Sequence, residues 1–487
     1  MFTITYSGEA RPVTVHLLDS DKQEYTAAQL PEPTISSTGR IRYEVLLEPE
    51  KELGGFFLSS DSREGSFVIE SCGIDTATVG LKKKGGMWRV GSGIRSFSLH
   101  SDRDSGLSRF LVDIDTISTA ASGIVEVGYT FDGEAANPDF ENPVYFTITC
   151  RSGSKQKRLR YYVHPGTNSI SLHPQSLGFY PEQVHVTEIH NSVEIQSFSF
   201  GGPGRDSTDP LPLEAGTVLS YPEGSWRNPD YELFSWSRAP GILIMDTKNY
   251  DIQSRYFKRL AFFVEKYGYT GKLLPDHALE GRHGWNAHDY RAVDLAFFFQ
   301  KAEDNRFRLL EEEVHLKEIL IENGIIREED GVYVPVAGGI ISISRSSSDY
   351  LREKFLIHEC CHGLFFVNDK IQEISFTQWE ELDETEKEFW RYFLRWMHYN
   401  IEDTYLVVNE YLAYLLQQPV GEAEVYFRSH PAFQFALENA PNGSTMASKT
   451  EQRDTYFYEL ASKMQEELYE QTYISSETIL GLMPASQ

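Results

Sequence analysis

Between Phe355 and Leu364 the chain reads FLIHECCHGL, with His358 and His362 four residues apart and Glu359 directly after the first. On a helix, residues at i and i+4 stand one above the other on a single face. Both imidazoles would then reach one tetrahedral Zn2+ at about 2.0–2.1 Å. Glu359 would lie beside a water activated at the metal and serve as its general base. The surrounding residues Leu356, Ile357, Cys360, Cys361, Gly363 and Leu364 are all uncharged, as a buried metal helix requires. The competing reading is a pair of core histidines satisfied by hydrogen bonds. Gly363 costs about 1 kcal/mol inside a helix relative to Ala, which is tolerable if its missing side chain lets another element approach the metal. Helix geometry points Cys360 and Cys361 away from the histidine face, against a role as thiol nucleophile.

Two ligands leave zinc incomplete, so a third must arrive while the fourth position stays open. Downstream, Asn409-Glu410-Tyr411-Leu412-Ala413-Tyr414 lies in a segment, Glu402–Gln418, that is apolar almost all round. An acid at 410 would be buried there, and a buried carboxylate needs a partner that a metal can supply. The alternative is an ordinary helix-surface Glu, with Asp289 as the next candidate ligand. His358-Glu359-x-x-His362 followed 48 residues later by Asn409-Glu410 resembles the gluzincin superfamily of zinc metallopeptidases, thermolysin-like and aminopeptidase-type enzymes among them. The resemblance spans Gly331–Gln418. It implies a zincin-like catalytic domain with one zinc per chain, held by His358, His362 and Glu410, with Glu359 as base. Where the family often has an acid four positions after the third ligand, this chain has Tyr414. No third histidine follows at metzincin spacing, since His362 leads into GLFFVN.

Upstream lies Val336-Ala337-Gly338-Gly339-Ile340-Ile341-Ser342-Ile343-Ser344-Arg345. Glycines followed by an alternating strand resemble the edge strand on which gluzincins lay an extended substrate, with Gly338, Gly339, Ile340 and Ser342 as substrate-binding positions. It is otherwise a plain hairpin strand. The Glu with which aminopeptidases bind the substrate amine is missing from Ile340–Ser344, which argues against that subclass. A second polar concentration, Asp276-His277 and then Arg282–Tyr290 (RHGWNAHDY), either lines the cleft and donates to an oxyanion or is a packed loop. Tyr414, Tyr411, His288 and any other nearby Tyr are the candidate oxyanion donors. No i, i+4 pair there supports a second zinc.

The elements that must position these residues follow from periodicity. Up to about residue 200 the pattern is period two: Ile41, Tyr43, Val45 and Leu47 alternate with charged residues, and Val125, Val127, Tyr129 and Phe131 repeat it. Further strands are predicted at Phe67–Glu70, Phe110–Ile114, Val144–Cys150, Leu159–His164, Val184–Ile189 and Val193–Phe200. Many short strands separated by turn residues indicate an all-β sandwich region over 1–200. Gly201–Pro212, reading GGPGRDSTDPLP, is the linker. From 213 to 487 apolar residues recur at three and four. The predicted helices are Tyr250–Tyr267, Arg291–Asn305, Leu309–Asn323, Tyr350–Val367, Glu384–His398, Glu402–Gln418 and Asp454–Gln471, with short strands at Gly241–Met245, Val332–Val336 and Ile340–Ser344. This half is α+β and mainly helical.

With 487 residues, two or three domains are expected, and 40% hydrophobic residues suffice for packed cores. The 45 Lys+Arg against 72 Asp+Glu give a net charge of −27, which repels phosphate backbones and argues against nucleic acid as partner. No run reaches the 18 or so apolar residues of a membrane span, and Met1–His16 does not read as a signal peptide. The chain as written is therefore expected in the cytoplasm, or outside it if it is a processed form. Four cysteines cannot build a disulfide framework; Cys72 and Cys150 are either bridged or buried free thiols. Lys82-Lys83-Lys84 and Lys155–Arg160 read as solvated hairpin tips and Glu380–Glu388 as an exposed helix start. The function expected is peptide-bond hydrolysis through a zinc-activated water, on a peptide or protein substrate, with the β region binding a glycan or protein ligand. The alternatives are an interaction protein with a structural zinc, or a zinc hydrolase of a non-peptide substrate.

Overall fold

The computed structural model describes residues 123–201 and 208–485 continuously, and before them the backbone of strands between Phe2 and Ile114. A β-sheet region is followed by a helical region from Asp349 to Thr472. Ile124–Phe131 pairs antiparallel with Gly166–Leu172 on one side and Val193–Gly201 on the other. Tyr145–Ser152 sits in a second sheet between Lys155–Tyr162 and Gln183–Ile189. Strand alternation sends Val125, Val127 and Tyr129 from the first sheet, and Phe146, Ile148, Val184 and Val186 from the second, into one shared core. Cys150 is a buried free thiol in that core, and the side chain of Cys72 lies outside the described residues. The basic run Lys155–Arg160 is strand rather than hairpin tip; the turn is made by Gly153, whose φ is +54°. Of Lys82–Lys84, Lys82 and Lys83 lie in the strand Val79–Lys83, and Lys84 lies outside the described residues.

The division at Gly201–Pro212 needs correction. Residues 202–207 lie outside the described residues, but the two sides of the segment share structure. Leu482–Pro484, at the far end of the chain, is an antiparallel strand on Lys155–Tyr162. Tyr469, Tyr473 and Leu482 are buried in the β-region core. The Tyr469 hydroxyl accepts from Val144 N at 3.0 Å, and the Tyr473 hydroxyl donates to Gly133 O at 2.7 Å. Arg238 donates to Tyr162 O and, at 2.6 Å, to Thr478 O. A fragment starting at 213 would therefore carry a strand and two tyrosines cut from their partners.

The second half is organised around a five-stranded sheet in the order Leu211–Leu213, Tyr231–Trp236, Ile242–Thr247, Gly339–Ser344, His288–Arg291. Gly339–Ser344 is parallel to Ile242–Thr247 and antiparallel to His288–Arg291. This overturns the reading of Gly338–Ser344 as a substrate-binding edge. Both its edges are paired, all six residues from Gly339 to Ser344 are buried, and Ser342 Oγ accepts from Gln253. The glycines serve strand packing: a Cβ on Gly338 would lie 2.0 Å from Gly241 O, and one on Gly339 2.4 Å from Tyr290 O. The edge strand is His288–Arg291.

On this sheet lies the helix Asp349–Val367, and crossing it is Thr404–Leu416, ten of whose residues are buried. Asp369–Glu381, Val420–Ser429, Pro431–Asn439 and Gly443–Gln452 are helices beyond those predicted. The acidic stretch before Glu388 is a helix start, where Asp383 and Glu386 form a capping box. No described helix is long and apolar enough to cross a membrane.

Glu214 joins the two halves: Tyr161 Oη donates to it at 3.3 Å, and Arg238 Nε lies 3.9 Å away. Burial pushes its carboxyl up to about 7, opposed by Arg238 and the Tyr161 bond. The folded chain thus holds this proton more tightly than the unfolded chain, in which the group keeps its ordinary value of 4.5. Its contribution to stability is full below about pH 4.5 and is lost as pH rises to about 7. Glu214→Gln should remove that decline, so the urea midpoint of the variant should gain on the wild type between about pH 5 and pH 8. A constant difference between the two would refute the assignment.

Candidate metal centre

Asp246, fully buried in the strand Ile242–Thr247, receives two hydrogen bonds from Arg352, at 2.9 and 3.0 Å, and a third contact from Arg345 at 2.6 Å. This fixes the first turn of Asp349–Val367 against the sheet. Removing one partner of such a buried pair costs about 3–5 kcal/mol. Further along the helix, a Cβ at Gly363 would lie 3.2 Å from Ile242 Cγ2 and 3.4 Å from Trp236. The glycine therefore admits the sheet to the back of the helix, and not an element to the metal face as expected. Cys360 and Cys361 are buried, and burial raises both thiols. His358 and His362 face the other way. The second helix starts at Asp403, whose carboxylate accepts from Tyr405 N and Leu406 N and so caps it.

The crossing brings His358, His362 and Glu410 together, all buried, with their ligand atoms within 4.8 Å of one another. His358 Nε2 lies 3.5 Å from Glu410 Oε2, and His362 Nε2 3.7 Å from Glu410 Oε1. The imidazole planes stand at 83° with centroids 4.7 Å apart. Two ligands of a tetrahedral zinc at about 2.1 Å are separated by about 3.4 Å, close to both distances. His362 Nε2, Glu410 Oε2 and Glu359 Oε2 are buried without a hydrogen-bond partner. Such orphaned atoms are costly unless a bound group pairs them, and a dication could do so.

The electrostatics agree with this fit. Glu265, Asp289, Glu359 and Glu410 crowd the same space, and Lys266 is the lysine beside them. Burial, reinforced by Asp289, pushes Glu410 up to about 8 against the pull of His362. Glu359 is raised well above the carboxylate range by burial, then by Asp289, Glu410 and Glu265. Burial lowers His358 to about 4, keeping it in the neutral form that ligates. A bound dication would reverse the penalty on the carboxylates.

Asp289 is the neighbour that the sequence offered only as a substitute ligand. It lies on the edge strand, 3.9 Å from His362 Nε2, and forms a second potential cluster with Glu359 and His362. Alternation along that strand turns His288 to the opposite face, so His288 is not an oxyanion donor. It is 2% exposed, stacks on Phe257 at 5.2 Å and bonds the Tyr290 hydroxyl at 2.9 Å. Tyr411 is likewise in the core, edge-on to Trp379 and Trp390. Tyr414 packs its ring on His358 at 4.8 Å, but its hydroxyl donates to Met397 Sδ at 3.0 Å. The hydroxyl that lies against Glu410 belongs to Tyr399, where it favours the ionised carboxylate. Tyr399 lies in a turn after the helix Glu384–Trp396, where no periodicity marks a face; Glu265 and Lys266 fall within the helix predicted to reach Tyr267, which ends at Val264 and so turns them toward the site. Asp289 had a signal, the alternation of His288, Asp289, Tyr290 and Arg291, masked by the polar loop before it.

No family model, curated protein or solved structure matches the chain. The assignment of a metal to this site therefore rests on its geometry and donor chemistry.

Protein purified without chelator should hold about one equivalent of zinc by metal analysis. Glu410→Ala should lose most of it, because two histidines alone remain. Asp289→Asn should keep it. Full zinc in the Glu410 variant, with loss in the Asp289 variant, would move the third ligand to Asp289.

Proposed function

We propose that the chain is a zinc-dependent peptidase with a gluzincin-like catalytic unit, carrying a β-sandwich accessory region at its N-terminal side. The observation that carries this reading is the convergence of His358, His362 and Glu410 at tetrahedral spacing, with Glu359 and its unpaired oxygen in the same buried space. A zinc held by those three ligands would polarise the scissile carbonyl and acidify a water. Glu359 would take the proton of the attacking water and deliver it to the departing amine. Asp289, beside Glu359, favours its protonated form and so helps it to hold that proton between the two transfers. Tyr399 and Tyr414 are the phenols nearest the ligands and the candidates for steadying the developing oxyanion.

The edge strand His288–Arg291 supports a peptide substrate. It pairs with Gly339–Ser344 on one side only, among the described residues. An extended chain added antiparallel or parallel to that edge would gain backbone hydrogen bonds independent of its side chains. Asp289, on that strand, would bring its side chain to the scissile region. A purely structural zinc would have no use for Glu359, whose carboxyl is kept buried at the cost of desolvation.

Glu359→Gln should retain zinc and lose turnover of a proteome-derived peptide library by about 10²–10⁴-fold, the usual contribution of a general base. Undiminished cleavage by this variant would assign the base elsewhere. Absence of cleavage by zinc-loaded wild type across the library would overturn the peptidase reading.

A further inference from the structure

Beside the metal centre runs a groove of about 1030 Å³ whose lining differs from the rest of the molecule. In a chain where acids outnumber bases 72 to 45, no Asp or Glu lines it. Arg282 and Arg395 stand on its walls and Lys266 at its inner end. Neither arginine has a carboxylate partner among the described residues. Each lies instead on an aromatic ring: Arg282 over Tyr269 at 5.3 Å, with a 2.6 Å bond to its hydroxyl, and Arg395 over Tyr267 at 5.2 Å. Cation–π contact of this kind holds a guanidinium in place without neutralising it. Trp285 and Trp396 add flat apolar surface, Trp396 being 39% exposed.

The groove is built from the turns that border the site. Its two walls are tied by the bridge between Lys266 and Tyr399 and by Tyr267 N donating to His398 O at 2.9 Å. Trp285 stacks on Tyr399 at 4.8 Å and donates to Glu265 at 2.5 Å. Met397, also in the lining, accepts the Tyr414 hydroxyl. Tyr399 and Tyr414 in turn touch Glu410 and His358. One layer of side chains thus separates the groove floor from the ligands.

We propose that this groove is the subsite for an acidic segment of the peptide substrate, with carboxylates facing Arg282 and Arg395 and neighbouring side chains lying on the exposed tryptophan. The proposal rests on the peptidase reading and specifies its substrate class. The planar guanidinium fork suits a carboxylate, and the aromatic floor suits a chain rather than a bare ion. The carboxylates could be Asp and Glu side chains or a chain terminus, and the test separates these.

Full-length, zinc-loaded Glu359→Gln protein would be titrated by fluorescence anisotropy with a labelled Glu- and Asp-rich peptide. The controls are its Gln/Asn counterpart and C-terminally amidated forms of both. The acidic peptide should bind at least about tenfold more tightly than its neutral counterpart, and Arg282→Gln with Arg395→Gln should abolish the difference. Retention of the preference on amidation assigns it to side chains; its loss assigns it to the terminus. Unchanged thermal melting of the double variant shows that the effect is local. Equal affinity for acidic and neutral peptides, a preference untouched by the double variant, or displacement by inorganic phosphate as effective as by peptide would each overturn the proposal. Cleavage of library peptides by wild type without acidic preference would sink the subsite and leave the peptidase standing. Arginine-dependent binding of the acidic peptide by a protein that cleaves nothing would do the reverse.

Discussion

Four carboxylates and two imidazoles share one dry space in this protein, and Lys266 is the lysine beside them. Leaving ionised groups of like sign together in an apolar interior costs several kcal/mol apiece, so the cluster either takes up protons or takes up a cation. The raised carboxyls of Glu410 and Glu359 and the depressed His358 describe the first solution; the tetrahedral spacing of His358, His362 and Glu410 describes the second. Two histidines and a glutamate from separate helices, converging with polar atoms that lack a hydrogen-bond partner, form a group that could hold a metal ion. A core designed only to fold would be more stable with apolar residues there.

Holding that cluster requires a rigid frame, and the frame uses a second buried charge of different character. Asp246 is fully paired, by Arg352 and Arg345, and anchors the helix Asp349–Val367 to the sheet. Gly363 lets the helix settle onto Ile242 and Trp236, and the apolar faces of Thr404–Leu416 fill the crossing. Asp246 is held by two guanidiniums, whereas Glu410 Oε2 has no hydrogen-bond partner, and that contrast separates a structural acid from one placed to ligate. Beyond the sheet, Glu214 and Arg238 connect the frame to the β region, and the last strand of the chain completes the sheet of the first half.

Much of this was legible from pattern. The i, i+4 histidines, the buried acid in an apolar helix and the change from period two to period three-to-four are local signals that local physics preserves, and each corresponds to an element in the structure. What pattern could not convey was pairing across long sequence separations. The stretch Gly338–Ser344 reads the same whether it is an edge or an interior strand; only the antiparallel addition of His288–Arg291 decides. The helices Val420–Ser429 and Pro431–Asn439 are short, and a proline at the start of each obscures the period. Leu482–Pro484 is three residues long and becomes a strand only because Lys155–Tyr162 offers an edge. Tyr399 reaches the site from a turn, through tertiary contact alone.

The charge on the two flanks of the site differs as sharply as the charge on the whole chain. On one flank Glu265, Asp289, Asp294 and Asp403 border a cavity of about 190 Å³, with Arg291 the cation among them. On the other lies the groove of Arg282, Arg395 and Lys266, with no acid in its lining. A net charge of −27 repels an approaching anion from afar. At physiological ionic strength, however, exposed charges more than about 8 Å apart are largely screened from one another. Near the groove, therefore, Arg282 and Arg395, which have no carboxylate partner among the described residues, outweigh the acids on the distant surface. The same screening confines the acidic flank to its own surroundings, so the two fields coexist a few side chains apart without cancelling. The cluster of His358, His362 and Glu410 thus lies between surfaces of opposite sign, the direction a bound chain would follow under the proposed function.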